Sequence, residues 1–210
     1  MPLPFYHISL AGALAEKYPA VRKSGDFFLG NIAPDAVLSH PDCTLAEKFE
    51  THLRGNRLSW RDVVLKSFDK SDKSDLFALG YHMHLVTDIF FRDRWEADFR
   101  CAGIPETEWD GIAYRLASLG AGRLLHEGAV QVGNYERWIL QARCFQTEKF
   151  PFGMTRADMT AEIDFAANLS DYIDIEINGR QDEHADFAEI YRSAIPHLDG
   201  IFGAYLKGDG

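Results

Sequence analysis

The segment Leu76-Phe-Ala-Leu-Gly-Tyr-His-Met-His-Leu-Val-Thr-Asp-Ile-Phe90 decides the fold class. Leu76, Leu79, Met83, Val86 and Phe90 step by three and four residues, which is the buried stripe of an amphipathic helix. His84 and Asp88 are four apart on that helix, so they project from one face, beside Phe77 and Tyr81. An imidazole and a carboxylate turned into a helical core need partners there, because burying them bare is costly. A shared metal ion meets that need, and so does a direct His–Asp hydrogen bond. His82 lies about 200° round the helix from His84. It is expected to be a surface or packing residue that cannot join the same ion.

Outward from this segment, helix signals dominate. Pro4 suits a first helical turn, and Leu10, Leu14 and Tyr18 then recur with His7 on the same stripe. Ser59–Asp62, Thr107–Asp110 and Thr155–Asp158 each place a carboxylate three residues after a hydroxyl, as a capping box does. Tyr172-Ile-Asp-Ile-Glu-Ile-Asn178 alternates apolar and polar residues but continues a helical pattern from Ala161, and is expected to be helix. Gly25–His40 reads as a structured loop, Lys70–Ser74 as a polar connector and Pro151–Gly153 as a break. These readings give an all-α, single-domain multi-helix bundle over residues 1–210. Residues 1–95 carry the metal-binding motifs, and a helical remainder, 96–210, shapes the pocket.

The chain has 210 residues, 46% of them apolar or aromatic, which is enough for a core without disulfides. A formal net charge of −10 argues against a standing nucleic-acid partner, since phosphate-backbone binding depends on Lys and Arg. Cys43, Cys101 and Cys144 are odd in number, and no CxxC pair occurs, so reduced thiols in a cytoplasmic protein are expected. Ile8–Ala15 is mostly apolar, but no Lys or Arg precedes Lys17 and the run is too short to span a bilayer. It is expected to remain on the mature protein, with no transmembrane segment.

Two further stretches give His84 and Asp88 company. Phe27-Phe-Leu-Gly-Asn-Ile-Ala-Pro-Asp35 carries an apolar run into a turn where Pro34 stiffens the backbone just before Asp35. A carboxylate placed so rigidly suits a ligand or a catalytic base, although capping a turn is the simpler role. Glu47-Lys-Phe-Glu-Thr-His-Leu53 offers His52. Two imidazoles and two carboxylates suit Zn²⁺, and also Mn²⁺ or Fe²⁺. Such an ion lowers the pKa of bound water and polarises the bond under attack, which is sufficient for acyl or phosphoryl hydrolysis. A phosphohydrolase of the HD type needs an adjacent His-Asp pair, and the sequence contains none.

At these residues the sequence resembles the zinc-dependent phospholipase C family, whose wider superfamily includes the P1-type nucleases. The resemblance rests on Phe5-Tyr-His7, Phe28-Leu-Gly-Asn-Ile-Ala-Pro-Asp35, Thr51-His52-Leu53 and Ala78-Leu-Gly-Tyr-His-Met-His-Leu-Val-Thr-Asp88, in that order. It covers roughly the first 95 residues. It implies an all-helical fold, a main zinc site of Asp35, His52, His84 and Asp88, and a part for His7 in a further metal site. The sequence departs from the trimetal pattern after Asp88: Ile-Phe-Phe-Arg-Asp-Arg-Trp95 has no His, His126-Glu127 is adjacent, and no His-x-x-x-Glu follows. One or two ions are expected rather than three. Arg92 and Arg94 stand where the missing His would be and suit a substrate phosphate, or else pair with Asp93, Glu96 and Asp98 along the helix.

The expected activity is metal-dependent hydrolysis of a phosphoric ester, either a small phosphodiester or a phospholipid headgroup, with Asp35 as bridging ligand or general base. The competing expectation is a non-catalytic member with a structural metal, acting through protein contacts. His184 and His197, in the acidic C-terminal region, look solvated.

Overall fold

The computed structural model describes residues 3–40, 42–169, 173 and 185–207. The described residues contain no β-strand. Their α-helices are α1 (Pro4–Lys17), α2 (Gly25–Gly30), α3 (Leu45–Thr51), α4 (Trp60–Lys70), α5 (Leu76–Cys101), α6 (Trp109–His126), α7 (Val132–Arg143), α8 (Arg156–Ala167) and α9 (Phe187–Leu206). A 3₁₀ turn, Ala33–Ser39, follows α2.

Helix α5 is 26 residues long, about 39 Å at 1.5 Å per residue, and Asp75 caps it by accepting from the Phe77 and Ala78 amides. It packs against α2, α9, α4, α1, α6 and the 3₁₀ turn. Leu79 to Phe91 are buried without a break. The single buried stripe read from the sequence is therefore too narrow: over this stretch α5 is enclosed on every side. A helix that is surrounded needs no polar face.

Helices α2 and α5 approach each other closely. A Cβ on Gly30 would lie 2.3 Å from the Phe77 carbonyl oxygen, and one on Gly80 would lie 2.3 Å from that of Phe27. Only hydrogen at both positions lets the two backbones meet. Asn31 follows, its side-chain amide donating to the Phe27 carbonyl at 2.9 Å. Gly25–His40 is thus not a loop, as its composition suggested, but helix α2 and the 3₁₀ turn. Ser24 caps α2 by accepting from the Phe27 amide, and the buried Phe27, Phe28 and Leu29 hold it against the core.

Three capping expectations divide. Thr155 and Asp158 form a reciprocal capping box at the start of α8. Ser59 precedes α4 without a side-chain cap. Thr107 lies in a 3₁₀ turn, Glu106–Glu108, and α6 begins only at Trp109. A capping box that the reading missed, Thr44 with Glu47, starts α3. Helix α8 ends at Ala167, and the helix expected over Tyr172–Asn178 falls mostly outside the described residues, as does His184. No helix among the described residues is long and apolar enough to cross a membrane. Cys43, Cys101 and Cys144 are free.

Candidate metal centre

Four elements deliver the five residues. Helix α1 brings His7, the 3₁₀ turn brings Asp35, the end of α3 brings His52, and α5 brings His84 and Asp88. All five are buried, with His7 and His84 at 0% exposure and Asp35 the most open at 5%.

The histidine tautomers follow from the backbone. Nδ1 of His84 faces the Asn31 carbonyl oxygen at 2.8 Å, and only an N–H can sit there. Nδ1 of His52 faces the Lys48 carbonyl oxygen at 2.8 Å and is likewise an N–H. In its neutral form each ring therefore turns a lone pair at Nε2 into the cluster. Those two nitrogens are 3.4 Å apart. His52 Nε2 lies 3.3 Å from Asp35 Oδ1 and 3.5 Å from Asp88 Oδ2. His84 Nε2 lies 3.8 Å from Asp35 Oδ2 and from Asp88 Oδ2. Asp35 Oδ1 and both oxygens of Asp88 are buried without a hydrogen-bond partner.

His52 is held from several directions. It caps α3, and Leu53 after it adopts a left-handed φ of 52°, turning the chain sharply away. The Trp60 indole donates to the His52 carbonyl at 2.7 Å, and the Tyr81 hydroxyl donates to that of Thr51. The Thr51 hydroxyl donates to the Pro34 carbonyl at 2.9 Å, tying α3 to the turn that carries Asp35.

Burial alone would push both carboxyl groups up. For Asp35 it is outweighed by the adjacent His52, His84 and Lys48, and for Asp88 by His84, His7 and His52, so both are held far below the usual carboxylate range. Burial, and then the neighbouring His7, push His84 down to about 3. Burial would also lower His52, but Asp35 and Asp88 draw it up. Two ionised carboxylates and a neutral His84 thus draw positive charge to the centre.

The donor set fits a divalent cation. An ion about 2.0–2.1 Å from four tetrahedral donors separates those donors by about 3.4 Å. Two overlapping sets of three, His52 with His84 and Asp88, and His7 with Asp35 and His84, each bring one ligand atom per residue within 4.8 Å of the others. His7 adds a fifth donor. Its ring stacks on His84 at 3.8 Å and its Nε2 lies 3.4 Å from Asp88 Oδ1, yet neither ring nitrogen makes a hydrogen bond.

Asp35 forms part of the wall of a cavity of about 670 Å³, with Lys48, Arg54, Glu162 and the apolar Leu3, Phe49 and Phe165. Lys48 Nζ is 3.9 Å from Asp35 Oδ1. Glu162 is buried with Oε1 unpartnered; burial, and then Asp35, push its carboxyl well above the usual range against the pull of Lys48. Sequence reading missed Lys48 and Glu162. Lys48 stands in the quoted stretch with His52, but nothing in the local pattern of α8 marks Glu162.

Other residues singled out from the sequence lie elsewhere. Arg92 pairs with Glu96 one turn on, and exposed Arg94 lies 5.0 Å from the centre of the Phe90 ring. Neither lines the cavity beside Asp35. His126 and Glu127 are exposed, and Glu127 pairs with Arg123 and Arg192. His82 is buried and packs between α4 and α5, and half-buried His197 stacks on Phe90 at 4.6 Å.

No family model matches the chain, and no curated protein and no solved structure matches it significantly.

Proposed function

We propose that this chain is a metal-dependent hydrolase of phosphoric esters, of the zinc-dependent phospholipase C type, holding one or two Zn²⁺ ions. The observation that carries the reading is the convergence of two overlapping sets of buried donors, His52 with His84 and Asp88, and His7 with Asp35 and His84, in which Asp35 and Asp88 keep unpartnered oxygens. Asp35, His52, His84 and Asp88 would supply the main metal ligands, and His7, grouped with Asp35 and His84, would contribute to a further ion. When bound, the metal supplies a Lewis acid and an activated water.

The chain's own residues do the rest. Asp35 faces both the cluster and the cavity, so its carboxylate can orient a water and accept its proton. Lys48 sets a positive charge beside it, where a phosphate oxygen of the substrate would lie. The apolar wall excludes water from the rest of the ester. A small phosphodiester or a phospholipid headgroup fits this arrangement, in a protein of the cytoplasm.

A second reading is a non-catalytic protein with a structural metal, because four protein donors are enough to close a tetrahedral site. The opening of Asp35 onto a cavity favours the hydrolase. The test is metal content by elemental analysis of the wild type beside Asp88→Ala, followed by assay with bis(p-nitrophenyl) phosphate. About one or more equivalents of metal, lost in the variant, with hydrolysis that depends on it, supports the proposal. Bound metal without hydrolysis selects the structural reading. No metal, even after excess Zn²⁺, refutes both.

A further inference from the structure

Between α4 and α5, a second cavity of about 410 Å³ is lined by Ser67, His82, Phe77, Tyr81, Phe150 and Lys149, among others. Ser67 comes from α4 and His82 from α5. Nδ1 of His82 faces the Ala78 carbonyl oxygen at 2.8 Å and must be an N–H, which leaves the lone pair on Nε2. Ser67 Oγ lies 3.1 Å from that Nε2 and donates to it. The ring is fixed a second time by Phe68, 5.4 Å away, which itself packs on Phe202 of α9. A hydroxyl that hydrogen-bonds an imidazole, with the imidazole oriented by a third group, is the arrangement that activates a serine nucleophile. Helix geometry turns His82 away from the metal cluster, so nothing in the proposed hydrolase uses this pair.

We propose that Ser67 and His82 form a second, metal-independent nucleophilic site that cleaves small carboxylic esters with an aromatic or short alkyl group. Ser67 Oγ attacks the ester carbonyl carbon and passes its proton to His82 Nε2. The bond from that carbon to the alcohol oxygen breaks, and the departing oxygen takes the proton back. Water then repeats the sequence on acyl-Ser67, releasing the carboxylic acid and restoring the hydroxyl. Lys149 on the cavity wall supplies positive charge for the carbonyl oxygen as it becomes anionic. Phe77, Tyr81 and Phe150 receive the apolar part of the ester.

The test is labelling of the intact protein with a fluorophosphonate, with and without chelator, and location of the adduct by peptide mass spectrometry. One adduct on Ser67 is expected, insensitive to chelator, absent from Ser67→Ala, and forming about 100-fold more slowly in His82→Gln, the usual size of a general-base effect. A burst of p-nitrophenol from p-nitrophenyl acetate should follow the same pattern. If Ser67 in the folded wild type labels no faster than in urea, the pair is only a pin between two helices and the proposal fails. An equal rate in His82→Gln also overturns it. Because labelling needs no metal, these outcomes are independent of the phosphoesterase reading.

Discussion

Replacing Gly80 by Ala tests how the metal centre is held. A Cβ there would stand 2.3 Å from the Phe27 carbonyl oxygen and 3.1 Å from the Asn31 amide nitrogen, so α2 and α5 must separate by at least about 0.7 Å to reach the 3.0 Å that real contacts respect. The obstacle is backbone, which cannot rotate aside, so the cost sits at the upper end for overpacking, about 3 kcal/mol. Ala returns about 1 kcal/mol of helix propensity. The net loss of about 2 kcal/mol lowers Tm by roughly 4–8 °C for a chain of this size. Gly200→Ala is the control. It lies within α9 with nothing near the new Cβ, so it should gain up to about 1 kcal/mol. The same separation moves the Asn31 carbonyl away from His84 Nδ1, so zinc uptake by Gly80→Ala should weaken about tenfold or more, as losses of such orienting bonds do. Thermal unfolding in chelator and competition of zinc against a chromophoric chelator measure both effects. A Gly80→Ala protein as stable as the wild type, with Gly200→Ala stabilised as expected, would refute the backbone contact and the positioning of His84 built on it.

Other consequences are open to measurement. Lys48→Met should leave zinc content unchanged but weaken inhibition by inorganic phosphate about tenfold or more, the scale of a lost charge-assisted bond; unchanged inhibition would remove Lys48 from the phosphate site. Thr44→Ala removes the reciprocal cap of α3 and should cost about 1 kcal/mol in urea unfolding, with a weaker hold on His52 at the helix end. Burial opposes ionisation of Asp158, but its bonds to Thr155 and the neighbouring His40 prevail and hold its pKa below the usual 3.8. Its stabilising effect is therefore complete above pH 3.8 and lost as pH falls through the depressed folded value. Asp158→Asn should make unfolding less sensitive to pH in that acid range, and an unaltered acid limb would show that the carboxylate contributes nothing.

Much of the architecture was legible because helical periodicity is a local property. The spacing from Leu76 to Phe90, Pro4 at the start of α1, and the Thr155–Asp158 box each need only a few neighbouring residues to be understood. His84 and Asp88 were legible as a pair for the same reason: one turn of helix stacks them whatever else the chain does. What the sequence could not show was depth. Whether α5 has one buried face or none depends on how many helices surround it, and those come from distant parts of the chain. Helix α2 was hidden in a stretch broken by Gly25, Gly30, Asn31 and Pro34 because its stability comes from backbone contact with α5 at Gly30 and Gly80, a tertiary contact with no local signature. Glu162 sits about 130 residues from Asp35 in sequence, and only packing of α8 on the 3₁₀ turn brings it to the same cavity. Local hydrogen-bonding and side-chain periodicity thus decided which segments are helices and which donors share a turn. The distances among His7, Asp35, His52, His84 and Asp88, and the lone pairs they turn inward, were decided only by the carbonyls of Asn31 and Lys48 and by close packing of α1, α3 and α5 around them.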